Sequence, residues 1–211
     1  MIRNIILDIG DVLVKSNYRR FFADKGYDDE MIGRLEKATF FSPVWKELDR
    51  GVWNFSQVVH GFVENDPEIE EQLRSVFDDM GGFITAYPYA VSWIRELKES
   101  GLKVFCLSNI SGKICDDCAN ELKFLEYVDG KLLSYRERLI KPDPKIFRLL
   151  LNRYGLSAEE CIFIDDMEQN VTVARALGFH GIVFKEQRQA MNEIEKYGGR
   201  RYEQYRLLGQ R

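Results

Sequence analysis

Asp8 closes the apolar run Ile5-Ile6-Leu7, and Ser108 closes Val104-Phe105-Cys106-Leu107. Asp165 and Asp166 follow Cys161-Ile162-Phe163-Ile164 in the same way. Each run is long enough for one buried strand and ends in an oxygen-bearing side chain. Any one of these residues alone is equally well read as a helix cap, because Asp and Ser are favoured there. Three such ends, with Lys141 in the loop Lys141-Pro142-Asp143-Pro144, point instead to phosphoryl transfer. A hard divalent ion such as magnesium takes oxygen ligands and keeps several waters. Asp8 and Asp166 would supply carboxylates to it, with a backbone carbonyl near Gly10 as a third ligand. One oxygen of Asp8 would hold the metal while the other attacks phosphorus, giving an aspartyl-phosphate. Lys141 would neutralise charge on the phosphoryl oxygens. Ser108 would donate a hydrogen bond to one of them.

These residues act together only if the fold gathers the strand ends. The chain alternates accordingly. Helical patterns over residues 90–100, 112–125, 144–154 and 170–177 separate strand patterns at 103–107, 130–134, 161–164 and 181–184. Glycines at 101, 155 and 178 stop three of the helices. Strands alternating with helices of this length predict a Rossmann-like, mostly parallel sheet with helices on both faces. In such sheets ligands bind outside the carboxyl ends of the strands. Residues 15–88 break the rhythm: they are helical in pattern and rich in aromatics, among them Tyr18, Phe40, Phe41, Trp45 and Trp53. They are read as a small all-helical unit inserted after the first strand. The expected division is therefore an α/β core of residues 1–14 and 89–211, and an inserted helical domain of residues 15–88.

Composition restricts the alternatives. The 211 residues are 45% hydrophobic and 30% charged, enough for a core without disulfides or a structural metal. A net charge of -4 argues against a dedicated nucleic-acid binder, whose affinity comes largely from neutralised phosphates. No apolar stretch approaches the roughly 20 residues that cross a bilayer, so no membrane partner is expected. The N-terminus reaches Asp8 too soon to hold a signal-peptide core, and the expected location is cytoplasmic. With only His60 and His180, histidine-based catalysis is disfavoured. Cys115 and Cys118 have redox spacing, but no second pair or nearby His completes a zinc site. The C-terminal stretch 198–211 carries four Arg and one Glu and reads as a frayed tail or a helix lying on the body.

The four segments, in this order, resemble the motifs of the haloacid dehalogenase-like hydrolase superfamily, in its branch with a helical cap after the first strand. Asp8-Ile9-Gly10-Asp11-Val12 is similar to the first motif, Leu107-Ser108-Asn109 to the second, Lys141 with its flanking prolines to the third, and Asp165-Asp166 with Asn170 to the fourth. The likeness covers residues 2–185 and is greatest to bacterial phosphatases of the glucose-1-phosphate phosphatase type. It implies Asp8 as nucleophile, Ser108, Asn109 and Lys141 around the phosphate, and Asp8, Asp166 and the Gly10 carbonyl around Mg2+. It also implies that Asp165 and Asn170 orient the site. Most phosphatases of the superfamily carry a second Asp where this chain has Gly10, and use it as general acid and base. Asp11 is one residue further on and is no automatic substitute.

The function expected is a magnesium-dependent phosphatase acting on a small phosphorylated metabolite, such as a sugar 1-phosphate. The alternatives are a metal-free 2-haloacid dehalogenase, with Asp8 attacking carbon, and a phosphate-binding or interaction protein weakened at Gly10. Arg19 and Arg20, close after the first motif, are candidates for a substrate anion or for surface ion pairs. The sequence does not fix the oligomeric state.

Overall fold

In a computed structural model, which describes residues 1–198, the chain enters through β1 (Asn4–Leu7) and β2 (Val14–Ser16). Five helices follow: α1 (Tyr18–Asp24), α2 (Asp29–Ala38), α3 (Val44–Arg50), α4 (Phe55–Asn65) and α5 (Glu70–Val76). The chain returns through β3 (Ile84–Ala86), then runs α6 (Ala90–Glu99), β4 (Lys103–Ser108), α7 (Gly112–Asp117), β5 (Gly130–Leu133), α8 (Ser134–Glu137), α9 (Pro144–Tyr154), β6 (Cys161–Asp165), α10 (Glu168–Ala176), β7 (His180–Val183) and α11 (Gln187–Gly198). The basic stretch beyond residue 198 lies outside the described residues.

Five strands form one parallel sheet in the order β5-β4-β1-β6-β7. The expectation of a mostly parallel, doubly covered sheet holds. The period of two along each strand divides the core between the faces. On one face Ile5, Leu7, Val104, Ile162 and Ile164 pack with Trp93, Ile94 and Leu97 of α6 and with Ala190 and Ile194 of α11. On the other, Ile6, Phe105, Leu107 and Phe163 pack with Ile146, Phe147 and Leu150 of α9 and with Val171 and Ala174 of α10. Burial on both faces explains why these strands read as unbroken apolar runs rather than alternating ones.

β2 and β3 pair antiparallel, Val14 opposite Ala86, so the chain leaves for α1–α5 and returns from them at one place. The helices share an aromatic centre in which Phe40, Trp45, Phe62, Phe77 and Phe83 lie ring against ring. The order β4-β1-β6 sets the carboxyl ends carrying Ser108, Asp8 and Asp165 side by side. Among the described residues no helix is long and apolar enough to cross a membrane.

Several expectations shift locally. The helix expected over 112–125 ends at Asp117, and Ala119–Glu126 continues as a tighter 3-10 helix. The helix expected from residue 170 begins at Glu168, which puts Asn170 in its first turn. The β2–β3 ribbon and the short α8 carry no separate signal, because three or four residues are too few to show a period.

Candidate active site

Pairing of β1 with β6 carries one residue past the strand: the Asp8 N–H donates to the Ile164 carbonyl at 2.9 Å. That bond fixes the Asp8 side chain next to those of Asp165 and Asp166. One ligand atom from each of the three carboxylates lies within 4.8 Å of the others. Asp8 and Asp165 are buried and Asp166 is half-buried.

Lys141 sits in the middle. Its side chain is 1% exposed, and its ammonium donates to Asp8 Oδ1 at 2.8 Å, Asp165 Oδ2 at 2.6 Å and the Leu107 carbonyl at 3.0 Å. Each of its three hydrogens therefore has an acceptor. Burial opposes the charged lysine, but Asp8 and Asp165 outweigh it and hold its pKa above the ordinary value. The other oxygen of Asp165 accepts from the Met167 N–H and from Asn170 Nδ2, both at 2.9 Å. Asp165 is thus committed on both oxygens to orienting its neighbours. Asp8 is committed on one: Oδ1 also accepts from the Ile9 N–H at 2.7 Å, while no hydrogen bond among the described residues reaches Oδ2.

The lysine loop is anchored by Asn109. Its Oδ1 accepts the Lys141 N–H at 2.8 Å and its Nδ2 donates to the Lys141 carbonyl at 2.9 Å. The Asn109 side chain thus ties the Lys141 loop to the end of β4 through both its oxygen and its nitrogen. Ser108 lies in the wall of a cavity of about 230 Å³ that also includes Gly10, Asp11 and Asn109.

Charge at the site is under-compensated. Burial, followed by Asp165 and Asp166, pushes Asp8 up to about 7 against the pull of Lys141. Burial, Asp165 and Asp11 push Asp166 up to about 6. One ammonium does not balance three clustered carboxylates. Asn170 Oδ1 is also buried beside them without a hydrogen-bond partner. An oxygen-rich cluster with excess negative charge and an orphaned acceptor suits a hard divalent cation and its bound water.

Other sequence candidates fall outside this centre. Arg19 pairs with Glu36 and Asp29, and Arg20 with Asp24, so both are engaged within the helical unit. Cys115 and Cys118 are free thiols, and Cys118 donates to the Met80 carbonyl at 3.1 Å. Asp11 has φ 50° and turns one carboxylate oxygen onto the Ser16 N–H at 3.1 Å. Sequence reasoning missed two residues. Asp49 of α3 reaches the same cavity, and buried Ser134 joins α3 to the sheet end. Asp49 lies in a helical segment without a strand-end signature, whereas Ser134 closes the strand pattern at 130–134 and differs from Ser108 only in its partners.

Comparison with known proteins agrees with this arrangement. The family model described as haloacid dehalogenase-like hydrolase matches residues 2–178. A sesquiterpene phosphatase of Aspergillus oryzae is 26% identical over 141 residues, 67% of this chain and 72% of the relative. An (S)-2-haloacid dehalogenase of Burkholderia cepacia is 22% identical over 142 residues, 67% of this chain and 59% of the relative. The chain spans 10% of the length of one curated relative and 74% of another. In fold, the chain is similar to a HAD family enzyme of Bacteroides thetaiotaomicron solved with magnesium and inorganic phosphate. The TM-score is 0.68 at 22% identity, covering 89% of this chain and 96% of that one.

Proposed function

We propose that this chain, which belongs to the haloacid dehalogenase-like hydrolases, is a cytoplasmic, magnesium-dependent phosphatase that hydrolyses a small phosphorylated metabolite through Asp8. The observation that carries the reading is the cluster of Asp8, Asp165 and Asp166, whose excess negative charge makes chemical sense with a cation among them. A haloacid dehalogenase working on carbon has no need of that charge arrangement. A phosphatase among the relatives and the magnesium and phosphate in the Bacteroides structure point the same way.

Asp8, Asp166 and the Gly10 carbonyl would hold the ion, with Asp165 and Asn170 orienting them. When bound, magnesium supplies Lewis-acid neutralisation of the phosphoryl oxygens. Asp8 attacks phosphorus with the oxygen that no hydrogen bond restrains. The bond from phosphorus to the leaving oxygen breaks as the aspartyl-phosphate forms. Lys141, held against the same carboxylate, offsets the charge that the phosphoryl group brings. Ser108 donates to a phosphoryl oxygen from the neighbouring strand end. Water then cleaves the acyl phosphate and regenerates Asp8. The cavity beyond the phosphate is walled by Tyr18, Phe40, Trp45 and Phe83. Such walls suit a leaving group with a flat apolar face, a class that includes sugar 1-phosphates.

Phosphate release from a broad panel of phosphorylated metabolites, with magnesium and with chelator, tests the reading. Magnesium-dependent turnover that vanishes in Asp8→Asn supports it. Halide release from 2-haloacids in chelator, without phosphatase activity, overturns it in favour of the dehalogenase.

A further inference from the structure

Departure of an alkoxide from phosphorus needs a proton, and position 10 cannot give one. The space there is open: a Cβ added to Gly10 would meet no atom within 4 Å. Asp11 lines the same cavity but holds one carboxylate oxygen on the Ser16 N–H at the chain's exit toward the helical unit. A second acidic residue, contributed by the helical unit, lines the same cavity. Asp49, on the last turn of α3, lines both the inner cavity with Gly10 and Ser108 and the wider opening with Lys141 and Asn170.

The position of Asp49 is fixed while its carboxyl group is not engaged. The Asp49 carbonyl accepts from Ser134 Oγ at 2.6 Å, and Ser134 Oγ in turn accepts the Ile110 N–H at 2.9 Å. Two residues on, Gly51 ends α3 with φ 67°, and a Cβ there would lie 2.6 Å from the Tyr135 carbonyl oxygen. Only glycine permits both the left-handed turn and that approach. The C-terminus of α3 is thereby seated on the end of β5, beside the phosphate side of the sheet. Yet no hydrogen bond or ion pair among the described residues reaches the Asp49 carboxylate, although Glu47 and Arg50 of the same helix pair with each other. A half-buried carboxyl group without a partner, on the wall of a cavity it shares with Gly10 and Ser108, is poorly explained by stability alone.

We propose that Asp49 is the catalytic acid and base of this enzyme, supplied by the inserted helical unit in place of the side chain absent at Gly10. This rests on the phosphatase reading. In the first step Asp8 bonds to phosphorus, the phosphorus–leaving-oxygen bond breaks, and the Asp49 proton passes to that oxygen. In the second step water attacks the aspartyl-phosphate, gives its proton to the Asp49 carboxylate, and releases phosphate and free Asp8. The proton lost in the first step is regained in the second. The surroundings favour a protonated Asp49 near neutrality: burial and the charge of Asp8 push its carboxyl up to about 7, against Lys141. Asp11 and Lys46 are the other charged groups on the cavity walls it shares.

The test is leaving-group dependence. Purified wild-type protein and Asp49→Asn are compared in magnesium on a simple alkyl phosphate and on p-nitrophenyl phosphate, whose leaving group needs no proton. Asparagine keeps the size, and no side-chain hydrogen bond is lost, so the melting temperature should be unchanged. The alkyl ester should lose about 10²–10⁴-fold in kcat/KM, the usual worth of a positioned acid. The aryl ester should lose less than about tenfold. Equal losses on both esters, or none on either, overturn the role of Asp49 and leave the phosphatase reading standing. Wild-type protein inert toward both esters and the wider metabolite panel overturns that reading, and this assignment with it.

Discussion

Replacing Lys141 by Met keeps the aliphatic stem and removes the charge that holds two buried carboxylates. The side chains of Lys141, Asp8 and Asp165 are 1%, 10% and 0% exposed, so water cannot take over as partner. Removing one partner of a buried ion pair costs about 3–5 kcal/mol. At about 2–4 °C per kcal/mol for a chain of this length, the melting temperature should fall by about 6–20 °C. The loss should also depend on pH. Asp8 is pushed up to about 7, so above that value it is ionised and its attraction to Lys141 is fully present. Below it Asp8 takes up a proton in the folded state and that share of the attraction is lost. The penalty of Lys141→Met should therefore be larger at pH 8 than at pH 5. Thermal melts followed by circular dichroism, in chelator at both pH values, measure this directly. A variant that melts with the wild type at pH 8, or that loses more at pH 5, would refute the electrostatic account of the site.

Other expected outcomes concern the metal, the lysine loop and position 10. Asp8 and Asp166 sit at about 7 and about 6, above the ordinary carboxylate value, so the folded state retains protons there that the unfolded chain releases. Metal-free protein should lose stability as pH rises from about 4 to about 7. Magnesium affinity by calorimetry should weaken as pH falls through the same values, because bound protons must leave first. Asn109→Ala removes both bonds to the Lys141 backbone and should lower kcat/KM about tenfold or more and stability by about 1–3 kcal/mol, read by steady-state kinetics and denaturant melts. Gly10→Asp enters open space, so its melting temperature should stay close to that of the wild type. Placed in Asp49→Asn, the new carboxyl should restore part of the alkyl-ester activity, measured as kcat/KM.

The strand ends were legible in the sequence because burial on both faces makes each central strand a continuous apolar run, and the first polar residue after it stands out. Asp8, Ser108 and Asp165 are all of this kind. Lys141 stood out by its prolines, but its three acceptors come from β1, β4 and β6 and no spacing along the chain reveals them. Asn109 illustrates the limit. Its place beside Ser108 is apparent, whereas its grip on the Lys141 backbone depends on a loop 32 residues away. Asp49 was invisible for another reason. On a short helix its carboxylate reads as an ordinary surface charge, and only the seating of α3 on Ser134 and Tyr135 places it on the cavity wall.

Acid-quenched protein, mapped by peptide mass spectrometry after mixing with an acyl phosphate and magnesium, tests the central claim most directly. The account predicts a phosphoryl group on the peptide that carries Asp8, absent in chelator and absent in Asp8→Asn. Phosphate carried on any other residue, or steady turnover in Asp8→Asn, would contradict it.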